Sequence, residues 1–180
     1  GSLSRSGWLG AVITGTLTFG FGGWAHGASL VFFFVSSTLW SRLRKHQKSD
    51  LDSTMFEKGS RRDIWQALAN GGAAALACLL GSLWSDHLVL WNAFFVGAMA
   101  TVAADTWATE LGVLATTPPR LITTFQSVPR GTSGAISGVG TLATTLGAMA
   151  VGIVYSGSAA IFTATPVVVV LIGVATIAGL

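Results

Sequence analysis

The 180 residues are 51% hydrophobic and only 9% charged, with a formal net charge of +3, whereas soluble domains average about 25% charged residues. Four stretches, 6–41, 64–85, 87–104 and 131–180, hold no Asp, Glu, Lys or Arg, which excludes an ordinary soluble globule. Cys78 is the only cysteine, so an intramolecular disulfide and a cysteine-based metal site are excluded too.

A helix needs about 20 apolar residues to cross the hydrocarbon core. The charge-free stretches therefore predict an all-α, polytopic transmembrane bundle of about six helices, forming a single membrane domain over residues 1–180. In chain order the helices are expected at 7–23, 26–41, 64–85, 88–114, 133–155 and 159–179. Gly22-Gly23 reads as a tight turn between the first two, with Trp8, Trp24 and Trp40 at interfacial depth. Residues 155–158, Tyr-Ser-Gly-Ser, read as the turn of a last hairpin, and Pro166 as a kink in helix six.

Arg5, the loop 42–63 and the loop 115–132 carry all ten Lys and Arg residues. Six crossings place all of them on one side, which the positive-inside rule makes cytoplasmic, together with both termini. The basic pI of 9.6 thus reflects membrane orientation rather than nucleic-acid binding. Glycine is abundant (23 residues), and Gly134, Gly138, Gly147 and Gly152 read as small-residue packing positions in helix five.

Asp105 and Glu110 lie in or just below helix four. Ionisable groups at membrane depth are costly, and they mark either a site or a paired structural charge. Five residues apart on a regular helix they diverge by about 140°. Sharing one ion would therefore need a broken helix near Asp105 and Glu110. Mg²⁺ suits two carboxylates supplemented by substrate phosphates, and a salt bridge to Arg130 or Arg62 is the alternative. Arg62, Gln66 and Asn70 recur every four residues on helix three, as interhelical glue or as the wall of a polar pocket. Arg130, Gly131, Thr132 and Ser133 lead from a loop into helix five, a sequence suited to cradling phosphate. These groups gather at one depth, where water-soluble phosphates meet a lipid-embedded partner, and that placement suits phosphoryl transfer.

Residues 32–37 (FFFVSS), 62–71 (RDIWQALANG), 104–112 (ADTWATELG) and 121–132 (LITTFQSVPRGT) resemble the TMEM19/DUF92 integral membrane family, which includes the phytyl-phosphate kinases of plants and cyanobacteria. The likeness runs from about residue 3 to residue 140. It implies a Mg²⁺-requiring kinase that uses CTP or UTP to convert an isoprenyl monophosphate into its diphosphate. By position it carries Arg62, Gln66, Asn70, Asp105, Thr106, Glu110, Arg130, Gly131 and Thr132 into the site. Asp105 and Glu110 would hold the metal. The arginines would hold phosphates, and Gln66 and Asn70 would orient the acceptor or the nucleotide, with Lys48 as a further phosphate contact. The implied partners are the bilayer, an isoprenyl monophosphate and a nucleoside triphosphate, not nucleic acid, with a homodimer left open. The location is a bacterial inner membrane or an organelle membrane. Family members usually continue into a further acidic segment, so the chain is expected to continue beyond Leu180. An ion-coupled transporter of lipid or isoprenoid, or a lipid-phosphate cytidylyltransferase, are the alternative readings.

Overall fold

The computed structural model describes residues 3–47, 63–130 and 132–163. Five α-helices occur among them: α1 (Arg5–Leu17), α2 (Trp24–Gln47), α3 (Ile64–Leu83), α4 (Leu88–Gly112) and α5 (Gly138–Thr163). Between α4 and α5 lies a small antiparallel hairpin, β1 (Arg120–Leu121) and β2 (Ala135–Ile136), pairing Arg120 with Ile136 and Leu121 with Ala135. The segments Ile64–Leu83, Ser85–Gly112 and Gly138–Ile161 are long and apolar enough to cross a membrane.

Local sequence explains most helix ends. The Ser4 hydroxyl accepts from the Gly7 N–H at 3.0 Å and caps α1. At α3, Asp63 accepts from the Gln66 N–H at 2.9 Å, while the Gln66 side chain accepts from the Asp63 N–H, completing a capping box. Residues 18–22 form a π-helical turn that ends at Gly23, whose φ of 81° reverses the chain into α2. Only glycine takes that conformation freely. The Gly22 position is also closed to side chains, because a Cβ there would lie 2.6 Å from the His26 ring and 2.7 Å from Cys78 Sγ.

α4 is the central helix. Phe95, Val96, Met99, Ala100, Ala103 and Ala104 are buried against Phe33 of α2, Ala74 and Cys78 of α3, and Ala148 and Val151 of α5. The contacts fix the helix directions. Gly10 meets Ala67 and Thr14 meets Gly71, so α1 and α3 run the same way. His26 bonds Asn92 at 3.1 Å and Ser41 bonds Glu110 at 2.8 Å, so α2 and α4 do likewise. Gly112 lies against Gly140 and Phe95 near Tyr155, so α5 is antiparallel to α4. One end of the bundle thus gathers Arg5, Arg42, Asp63, Glu110, Arg120 and Arg130, and the other carries Asp86 and His87.

The structure corrects the expected elements in four places. Helix α4 is regular through Asp105 and Glu110 and ends at Gly112, so it is not broken between them. An intact ladder leaves no backbone group unsatisfied at membrane depth, which favours continuity. Helix α5 continues through residues 155–158 to Thr163 instead of turning there. Serine and glycine are tolerated within a membrane helix, and Ser156 is buried in the bundle. Helix α5 also begins at Gly138 rather than 133, because the hairpin takes up residues 135 and 136. Gly134, at φ 75°, belongs to the hairpin and not to a helical GxxxG pair. The rest of the expected sixth helix, with Pro166, lies outside the described residues.

Candidate functional site

Helix α4 presents two chemically different faces near its C-terminal end. Asp105, Thr109 and Gly112 recur at i, i+4 and i+7 and face α5 and the hairpin. Trp107 and Glu110 face α2, where the Trp107 indole N–H donates to the Ser36 hydroxyl at 3.3 Å and the Ser41 hydroxyl donates to Glu110 Oε1 at 2.8 Å.

The first face opens into a cavity of about 580 Å³. Its α5 wall is Ser137, Gly140, Thr141 and Thr144, again at helical spacing, and its loop wall is Arg130, Thr132, Ser133 and Gly134. Ser137 caps α5 by accepting from the Gly140 N–H at 3.1 Å. Arg130 is positioned by donating from Nη2 to the Thr116 carbonyl at 3.2 Å, and the Thr132 hydroxyl donates to the Pro129 carbonyl at 2.7 Å. Close approach of α4 and α5 holds the walls together. A Cβ on Gly147 would lie 3.0 Å from the Ala103 carbonyl oxygen, and one on Gly112 would lie 3.4 Å from the Gly140 Cα.

Of the expected site residues, the fold brings Asp105, Arg130, Thr132 and Ser133 to one cavity. It separates the others. Glu110 lies on the α2 face of α4, because an unbroken helix turns it about 140° from Asp105. Thr106 is half-buried and does not line the cavity. Gln66 is engaged in the α3 capping box. Asn70 lines a separate, largely apolar cavity of about 410 Å³ with Trp8, Thr14 and Phe34 of α1 and α2. Arg62, Lys48 and Gly131 lie outside the described residues. Thr109, Thr141 and Thr144 were not among the expected residues. Their signal was available as helical spacing, from Asp105 to Thr109 and from Ser137 through Thr141 to Thr144.

No group of three or more His, Cys, Asp or Glu side chains suited to a metal occurs among the described residues. Mg²⁺ characteristically takes one or two carboxylates and completes its shell with water and substrate phosphates. Asp105 beside hydroxyls fits that pattern; Glu110, turned toward Ser41, does not join it. Glu110 instead ties α2 to α4. A double-mutant cycle of Ser41→Ala and Glu110→Gln, followed by thermal unfolding in detergent, is expected to show coupling of about 1 kcal/mol. Additive effects would remove this tie.

Such a fold and cavity define a polytopic membrane protein with a hydroxyl-rich polar site beside its most basic end. The chain belongs to the DUF92 family of integral membrane proteins, whose description, "Integral membrane protein DUF92", matches residues 1–180. It is 32% identical over 166 residues to Protein PGR of Arabidopsis thaliana, covering 86% of this chain and 57% of that protein. An uncharacterized membrane protein of Methanocaldococcus jannaschii is 34% identical over 153 residues, covering 84% of this chain and 60% of its own. Protein VTE6, chloroplastic, of Arabidopsis thaliana is 32% identical over 145 residues, 78% of this chain and 43% of that protein. The chain thus spans between about two-fifths and three-fifths of the length of these relatives. No solved structure matches it.

Proposed function

We propose that the chain carries the phosphate-handling part of a membrane phosphotransferase that converts an isoprenyl monophosphate into its diphosphate, with CTP or UTP as donor, at the cytoplasmic face. The observation that supports this most is the cavity itself. Among the described residues one carboxylate, Asp105, faces a guanidinium, Arg130, across a lining that carries six Thr and Ser hydroxyls. That composition suits polyphosphate far better than a hydrocarbon. The cavity lies at the basic end of the bundle, which positive-inside orientation makes cytoplasmic, where nucleotides are available.

The reaction needs positioning more than proton transfer. An oxygen of the acceptor monophosphate attacks the γ-phosphorus, the bond to the β-phosphate oxygen breaks, and CDP or UDP leaves. The attacking oxygen is already anionic at neutral pH, so no strong general base is required. Arg130, fixed by Thr116, would hold donor phosphate, and the hydroxyls of Thr109, Thr132, Ser133 and Thr144 would orient it. Mg²⁺, when bound through Asp105 and the phosphates, would neutralise charge on the transferring group.

Purified protein in its full natural length, given geranylgeranyl monophosphate, Mg²⁺ and CTP, is expected to form geranylgeranyl diphosphate and CDP. Release of pyrophosphate would instead identify cytidylyl transfer, and recovery of unchanged substrates would refute the phosphotransfer reading.

A further inference from the structure

A second cavity, about 860 Å³ in volume, adjoins the first between the hairpin and the outer side of α5, and Ile136, Ser137 and Thr141 line both. Its lining is of mixed character: Arg120, Ser127, Thr141 and Thr145 are polar, and Phe125, Ile136 and Leu142 form an apolar part. Among the described residues its lining holds one cation, Arg120, and no carboxylate, a charge that favours an anion. Arg130 in the first cavity is held in place by one bond from Nη2 to the Thr116 carbonyl. Arg120 differs: among the described residues neither its guanidinium nor the Thr141 hydroxyl has a hydrogen-bond partner.

The apolar part looks toward lipid. Leu142 is 60% exposed on a helix long and apolar enough to cross the membrane. It lies one turn, about 6 Å, beyond the start of α5. Phe125 lines the same cavity with its backbone at φ 56°, a left-handed conformation unusual for an aromatic residue. Strain of that kind persists where surrounding structure holds it, and it concentrates at ligand clamps. A cation and hydroxyls in one cavity with an aromatic ring and a leucine match a phosphate group carried on a hydrocarbon chain. Neither a free anion nor a neutral lipid uses both halves.

We infer that this second cavity is the seat of a phosphomonoester borne on a single hydrocarbon chain, with the phosphate at Arg120 and Thr141 and the chain leaving past Phe125 and Leu142 into the bilayer. The inference rests on the phosphotransfer reading for its consequence. The shared wall of Ser137 and Thr141 would set this acceptor phosphate beside donor phosphates held at Asp105 and Arg130.

Binding without nucleotide tests the site separately from turnover. Full-length protein in phosphatidylcholine nanodiscs is titrated with geranylgeranyl monophosphate, geranylgeraniol and inorganic phosphate. The monophosphate is expected to bind at least tenfold more tightly than either fragment. Arg120→Ala should weaken it at least tenfold, and Arg120→Lys, which keeps the charge and guards against misfolding, by less than about threefold. Leu142→Asn should weaken the monophosphate without changing the affinity for inorganic phosphate. Repeating the titration in nanodiscs containing phosphatidic acid distinguishes the source. Loss of affinity there would give the seat to a two-chain bilayer lipid and overturn the single-chain assignment, and unchanged affinity supports the single-chain compound. Equal affinity in Arg120→Ala, or inorganic phosphate binding as tightly as the chain-bearing compound, would overturn the site. Turnover with unaltered binding in Arg120→Ala would sink this seat alone, whereas binding without any turnover would sink the kinase reading and leave the seat standing.

Discussion

Asp105→Asn is expected to lower turnover of geranylgeranyl monophosphate with CTP and Mg²⁺ by at least about 10²-fold, the scale on which a single preorganised electrostatic group acts in a closed site. Asparagine keeps the size of the side chain and most of its hydrogen bonding while removing the charge. Among the described residues Asp105 has no hydrogen-bond or ion-pair partner that this exchange would break, so the variant should extract and elute like the parent. Raising Mg²⁺ should recover part of the activity if the carboxylate serves to hold the ion. Glu110→Gln provides the contrast. Its side chain accepts from Ser41 on the opposite side of α4, so its effect on turnover should be smaller by at least about tenfold and be seen first in stability. Equal losses in both variants would mean that the two carboxylates act together, contrary to their placement on an unbroken helix.

The second large effect is structural. Gly147 lies where α5 crosses α4, and a Cβ there would sit 3.0 Å from the Ala103 carbonyl oxygen and 3.1 Å from Cγ of the Trp107 ring. Backbone cannot retreat from such a contact without separating the helices. Gly147→Val should therefore destabilise the bundle by about 3 kcal/mol, at the upper end of overpacking costs. It should also reduce turnover, because the same helix pair forms two walls of the Asp105 cavity. Gly157→Ala is the control, since a Cβ at that exposed position meets nothing within 4 Å among the described residues. Alanine there should be neutral or stabilising by up to about 1 kcal/mol, reflecting helix propensity. Thermal unfolding of the three proteins in one detergent measures both effects, and an unchanged midpoint for Gly147→Val would remove the close crossing.

Much of this was legible in the residues alone because membrane helices announce themselves by what they lack. Charge-free runs mark the helices, Gly22-Gly23 marks the first reversal, and the distribution of Lys and Arg matches the basic end of the bundle. The cavity was partly legible as well. Asp105, Arg130, Thr132 and Ser133 stood out as polar groups at membrane depth or at a helix entry, and the fold brings those four together. Gln66 stood out equally, yet its amide serves the Asp63 cap. A polar side chain at the first turn of a helix satisfies local backbone as readily as a ligand.

The sequence by itself determined the class of protein and the segments from which charge is excluded, since these follow from the cost of placing charge and unpaired backbone in hydrocarbon. Tertiary structure alone decided which side of α4 each carboxylate occupies, because that depends on whether the helix stays regular for five more residues. It also decided that Thr109, Thr141 and Thr144 complete the Asp105 cavity and that Arg120 faces a second one. Apart from Thr109, one turn along α4 itself, those partners come from α5 and a hairpin separated from Asp105 by up to about forty residues, and no local pattern of spacing encodes how two helices cross.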